Sequence, residues 1–173
     1  MILKPILALA LVAVASCTML VPETVNRIST LSPLTADPAD FEFAVDLPAG
    51  LDIPKGAATL LMQVKRSDTG QTASEVFILE RREADAIQFR MAQADLARFR
   101  AMQKTASAWK AKAPNATLGT FAMEVTACET ASGPAKDAQF SVDVKLAKDG
   151  SFMPLMQDVP VEKLKAKGKI CAR

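Results

Sequence analysis

Beyond residue 38 the chain alternates apolar and polar positions at the period of a β-strand. Phe41, Phe43, Val45 and Leu47 alternate with Glu42, Ala44 and Asp46, and the arrangement returns in Ala58, Leu60, Met62 and Val64 and in Phe121, Met123 and Val125. Each run predicts a strand with one face turned to a core. Residues 75–81 read differently: Val76, Phe77, Ile78 and Leu79 are consecutive, which predicts a strand covered on both faces. Asp68-Thr69-Gly70 follows one run and Lys148-Asp149-Gly150 lies between 140–146 and 152–156, so both supply turn residues for hairpins. Pro154 has no N–H to give a ladder, which puts the last strand at a sheet edge.

One stretch changes period. Leu96, Phe99, Met102, Ala106, Trp109 and Ala113 recur every three or four residues and draw one apolar stripe along a helix over about residues 95–112. Asp95 is placed as its N-cap and Pro114 as its stop, and Ile87, Phe89 and Met91 alternate just before it, so a strand runs directly into the helix. The expected fold is mainly β within the α+β class: an antiparallel, sandwich-like domain of seven to eight strands carrying one amphipathic helix. It occupies residues 39–173, a length that suits one domain with a real core.

The amino end has a different composition. Lys4 gives a short positive start, residues 5–14 are apolar, and Ala15 and Ser16 are small, the three regions of a secretory signal. A bilayer core needs about 20 apolar helical residues, and this run ends after roughly ten. Val14-Ala15-Ser16-Cys17 resembles the lipobox of bacterial lipoproteins, with valine where leucine is commoner. The resemblance covers the leader alone. It implies removal of residues 1–16 and a thioether-linked diacylglycerol on Cys17, hence a membrane partner reached through a lipid anchor. Thr18 stands where an aspartate signals inner-membrane retention, so the resemblance favours the outer membrane, facing the periplasm. Residues 17–38 carry Pro22, Pro33 and Pro38 among Ser and Thr and read as a tether of roughly 25 Å mean reach, with a first edge strand expected over 25–31.

Composition narrows the chemistry. Half of the residues are hydrophobic, 23% are charged and the net charge is +2, the profile of a globular protein. Histidine and tyrosine are absent, so imidazole and phenol chemistry are excluded. Few aromatic side chains are present to stack on bases, and nucleic acid is not an expected partner. No cofactor or metal site is expected: the carboxylates Asp37, Asp40, Glu42 and Asp46 are scattered over a loop and an outer strand face, and no phosphate-binding glycine loop occurs.

Two cysteines remain once Cys17 is assigned to lipid. Cys128 and Cys171 form an even pair in an oxidising compartment, which points to a disulfide closing a loop of about 43 residues; two free buried thiols are the competing reading, and a redox role lacks both a CxxC spacing and a histidine. Ser107-Ala-Trp-Lys110 spells a Ser-x-x-Lys pattern, but the serine falls late in the helix and the partner motifs of penicillin-binding enzymes are missing. Charge is uneven: residues 81–112 carry eight bases against three acids, while residues 18–60 carry six acids against two bases. Arg98, Arg100, Lys104, Lys110 and Lys112 therefore mark a basic helix face able to meet another envelope protein, anionic lipid or cell-wall polymer. The function expected is a non-enzymatic, lipid-anchored envelope module that binds or helps assemble another component. A small-ligand or metal carrier with a pocket near Met91, Met102 and Trp109, and a serine or carboxylate hydrolase, are the alternatives.

Overall fold

In the computed structural model the described residues are 21–24, 34–82, 84, 86–130, 133–164 and 170–171. Cys17 and the strand expected over 25–31 lie outside them. The strands are β1 (Glu42–Asp46), β2 (Leu51–Asp52), β3 (Ala58–Arg66), β4 (Thr72–Arg82), β5 (Ile87–Met91), β6 (Thr117–Val125), β7 (Cys128–Glu129), β8 (Gln139–Lys145) and β9 (Met153–Pro160), with the helix α1 (Leu96–Lys112) between β5 and β6. Seven of them form one antiparallel sheet in the order β6-β3-β4-β5-β1-β8-β9, and β2 and β7 pair in a small ribbon. The mainly β, α+β character and the single amphipathic helix are as the periodicities predict.

β4 shapes the sheet because it has two partners on different stretches of its length. From Thr72 to Ile78 it pairs with β3, and from Leu79 to Arg82 with β5. The sheet curls around the side that carries the core. Phe41, Phe43, Phe77, Phe89 and Phe99 are all essentially inaccessible there, each contributing about 1.5–3 kcal/mol through removal from water. α1 crosses this concave side over β6, β3 and β4, burying Leu96, Phe99, Met102, Gln103 and Ala106. Phe99 meets Phe41 edge-on at 5.6 Å between ring centroids and Phe77 in a tilted contact at 5.2 Å, geometries that add to the area term.

The helix ends are set by local chemistry. Asp95 precedes the first turn, but its carboxylate accepts from Arg98 at 2.7 Å and makes no side-chain cap to the backbone. At the other end the Thr117 hydroxyl reaches the carbonyls of Trp109 and Ala113 at 3.0 and 2.8 Å, and the Lys110 amine donates to Pro114 at 2.8 Å. The Trp109 carbonyl also accepts from the Ala113 N–H at 2.9 Å, and these side-chain contacts tie the end of the helix to the start of β6.

Two sequence expectations change. β4 is not covered on both faces: Phe77 and Leu79 are buried, while Val76 and Ile78 are 54% and 57% exposed. Four consecutive apolar residues fill both sides of a strand, and among the described residues no second layer lies over the outer side. The stretch read as a tether to residue 38 also contains docked residues. The Val21 N–H donates to the Leu155 carbonyl at 3.0 Å, Thr24 is 3% exposed, Pro38 is buried and Leu34 and Ala36 pack on the core.

The two sheet edges differ. β9 contains Pro154 and Pro160, its register with β8 shifts twice, and Val21 occupies part of its flank; prolines, irregularity and cover are the usual means of blunting an edge. β6 keeps an unshifted register with β3 from Ala58↔Val125 to Arg66↔Thr117.

Candidate binding face

Cys17 precedes Val21 by four residues, a span of at most about 14 Å for an extended chain, and Val21 is fixed to β9. An acyl group on that sulfur would therefore hold the β9 side close to a bilayer.

Cys128 and Cys171 are joined by a disulfide with Cα atoms 5.0 Å apart. The chain end is also held by the Cys171 N–H, which donates to Glu129 at 2.9 Å, and by a parallel bridge from Ile170 to Glu129. This bond fastens the C-terminal residues to the β2/β7 ribbon. The ribbon itself needs Gly50: a Cβ there would sit 1.9 Å from the Gly133 carbonyl oxygen, and its φ is +94°, so only glycine fits.

The five cations expected to form a basic helix face do not gather into a free patch. Arg98 is shared between Glu75 at 2.5 Å and Asp95 at 2.7 Å and lies 5.0 Å over the Phe77 ring; its pKa is raised above the ordinary value, chiefly by the hydrogen bond to Glu75. Arg100 pairs with Asp37 at 2.8 Å. The Asp37 carboxyl is held below the usual carboxylate range, first by the Ala39 N–H and then by Arg100. Lys110 is committed to the Pro114 carbonyl. Lys104 and Lys112 are exposed and form no ion pair with a described residue.

The remaining sequence candidates lie in or beside the core where they are described. Met91 and Met102 are 4% and 8% exposed inside the core, with Trp109 packed against it, as a methionine stripe on a helix commonly is. Ser107 is half-buried. Among the described residues no group of three or more carboxylates or cysteines is placed to hold a metal ion.

The outer, convex side of the sheet is where side chains from distant parts of the chain converge. Across β4, β5, β1 and β8, one row reads Glu80, Arg90, Glu42, Lys145, each directly opposite the next. Arg90 meets Glu80 at 3.2 Å and Lys145 meets Glu42 at 2.9 Å. Alternating charge makes this row self-satisfying. Across β4, β3 and β6 the row Val76, Leu61, Ala122 is apolar, Ile78 lies in the next row beside Thr59, and Leu118, 61% exposed, stands at the far corner beside Lys65.

Where β4 changes partner, the outer side opens into a cleft of about 710 Å³ whose lining includes Ile78, Lys55, Glu80, Arg82, Arg90 and Asp95. Glu80 is matched by Arg90, and Asp95 accepts from Arg98. Lys55 and Arg82 are exposed and form no ion pair with a described residue. An apolar patch of Val76, Ile78, Leu61 and Ala122, with Lys55 and Arg82 at its cleft end, is thus assembled from the turn before β3, from β3, from β4 and from β6, and the polar row Ser74, Gln63, Thr120 separates it from Leu118 and Lys65. Sequence reading missed it: Val76 and Ile78 looked like core, and Lys55, Lys65 and Arg82 are scattered along the chain. The signal was present in the consecutive apolar run of β4, which leaves one face to be explained.

No protein-family model, no curated protein and no solved structure matches this chain.

Proposed function

We propose that the chain is a lipid-anchored protein of the bacterial cell envelope, attached through Cys17 at the outer membrane and facing the periplasm, and that its β-domain is a non-enzymatic binding or assembly module. One observation carries the binding role: the outer side of β6-β3-β4 leaves Val76 and Ile78 more than half exposed beside Leu61 and Ala122, while the outer side of the neighbouring strands is closed by ion pairs. Isolated exposed apolar residues are ordinary on a protein surface, but a contiguous strip rimmed by polar groups is a feature of interaction sites. The leader supports the location, because Val14-Ala15-Ser16 before the expected cleavage point and Cys17 after it resemble a lipobox.

Fatty-acid labelling of cells expressing the full chain tests the anchor, with labelling expected for the native sequence and absent from Cys17→Ala. A photo-crosslinking residue at position 76, introduced into the intact lipoprotein, tests the face. Adducts from position 76 and none from position 42 are expected; equal labelling from both positions would count against the binding role.

A further inference from the structure

We infer that the occupant of this face is the surface of an anionic lipid bilayer, so that the strip of β6-β3-β4 forms a second membrane contact beside the acyl anchor. The inference rests on the reading of that face as a binding surface and names its partner. Three structural facts lead to it.

The first is charge. Lys55 and Arg82 line the cleft with Ile78, Lys65 stands beside Leu118 on the same side of the sheet beyond the polar row Ser74, Gln63, Thr120, and all three are exposed without an ion pair to any described residue. Of the acids near them, Glu80 is engaged with Arg90, and Glu124 stands at the far end of the row that runs from Ile78 through Thr59. Apolar side chains in the middle with cations around them match a surface whose phosphates lie above hydrocarbon. The second is the cleft. Its lining brings Lys55 and Arg82 beside the apolar Ile78, with Arg90 and Glu80 paired to each other at its wall, which suits a phosphate head group with its acyl chains passing toward Ile78 and Val76. The third is reach. Val21 is bonded to β9, and the at most about 14 Å of chain from there to Cys17 keeps the domain within contact distance of the membrane that holds the anchor.

The acyl chains supply the residence time, and the face sets the orientation. A domain held by the anchor alone would tumble within its leash; one that also rests on Val76 and Ile78 would keep its concave, helix-bearing side away from the lipid.

The test uses the intact lipoprotein reconstituted into vesicles. Trp109 is the only tryptophan, so Ile78→Trp in a Trp109→Phe background places a single reporter on the face, and its quenching by brominated lipids reads immersion. Strong quenching is expected in vesicles containing phosphatidylglycerol, with little in pure phosphatidylcholine and a fall as salt rises. Lys55→Ala, Lys65→Ala and Arg82→Ala should each lower the docked fraction relative to the undocked about fivefold. Thermal melting checks that every variant folds, and Val76→Trp in the same background serves if the Ile78 variant does not. A folded protein whose reporter is unquenched in anionic vesicles would overturn the inference. Under that result, protein adducts from position 76 in cells would leave the binding face standing with a different occupant, and no adducts would remove both.

Discussion

The two halves of the seven-stranded sheet are built alike on the concave side and differently on the convex one. Inward, β5-β1-β8 bury Phe89, Phe43, Val45, Val142 and Val144, β3 and β4 bury Leu60, Met62, Val64, Phe77 and Leu79, and Phe121, Met123 and Val125 of β6 pack half-buried against them. Outward, the first half sets Glu80, Arg90, Glu42 and Lys145 in an alternating row, and the second sets Val76, Leu61 and Ala122 in an apolar one. An antiparallel sheet needs one buried face and tolerates water on the other, so folding alone accounts for both concave halves and for the charged row. It does not account for the apolar row. The difference separates residues that hold the fold from residues that fold stability leaves unconstrained.

That separation can be broken by measurement. The largest effect is expected from Phe99→Ala, which empties the centre of the cluster with Phe41 and Phe77 and should cost about 3–5 kcal/mol in denaturant unfolding. Removing the bond between Cys128 and Cys171 by paired serine substitutions frees a 43-residue separation. It should cost about 2–4 kcal/mol, measured as a lower melting temperature without reductant. In the charged row, a double-mutant cycle on Glu42→Gln and Lys145→Gln should give a coupling of about 0.5–1 kcal/mol that shrinks in salt.

Acid titration should produce a smaller effect. Asp68 is held below the usual carboxylate range, chiefly by its hydrogen bonds from Arg66, and Asp37 by Ala39 and Arg100. A carboxyl whose folded pKa is depressed stabilises the fold above its unfolded pKa and loses that contribution as the pH falls through the folded value. The melting temperature should therefore be insensitive to these two groups near neutrality and decline only below the normal carboxylate range, with Asp68→Asn flattening part of the decline. The smallest effect on stability is expected from Val76→Asp and Ile78→Asp, each within about 0.5 kcal/mol of the native chain while adducts or lipid contacts at the face disappear. A large stability loss from either would mean that the two halves are not different in kind.

Much of the fold was legible because alternation reports which side of a strand is buried. Phe43 and Val45, or Leu60, Met62 and Val64, announce their faces without help from the rest of the chain. The run at Val76–Leu79 did not, because consecutive apolar residues look the same whether a second layer covers them or a ligand does. Sheet order was not legible either: the opposition of Glu42 to both Arg90 and Lys145 joins segments far apart in sequence. The basic helix misled for a related reason. Counting charges within residues 81–112 omits Glu75 and Asp37, which lie outside that window and neutralise Arg98 and Arg100. The candidate face depends on the partner change of β4, and long-range pairing of that kind leaves no local periodicity.

The hydrogen bond from Val21 to Leu155 also decides how force would enter the domain. Under the anchoring proposed at Cys17, a pull on the anchor would arrive at the flank of the outermost strand and, among the described residues, meet the bond from Val21 to Leu155 before it loaded the ladders between β3, β4 and β6. The domain would yield first by letting out a little more chain, keeping its aromatic centre intact, and would regain its seat once the tension fell.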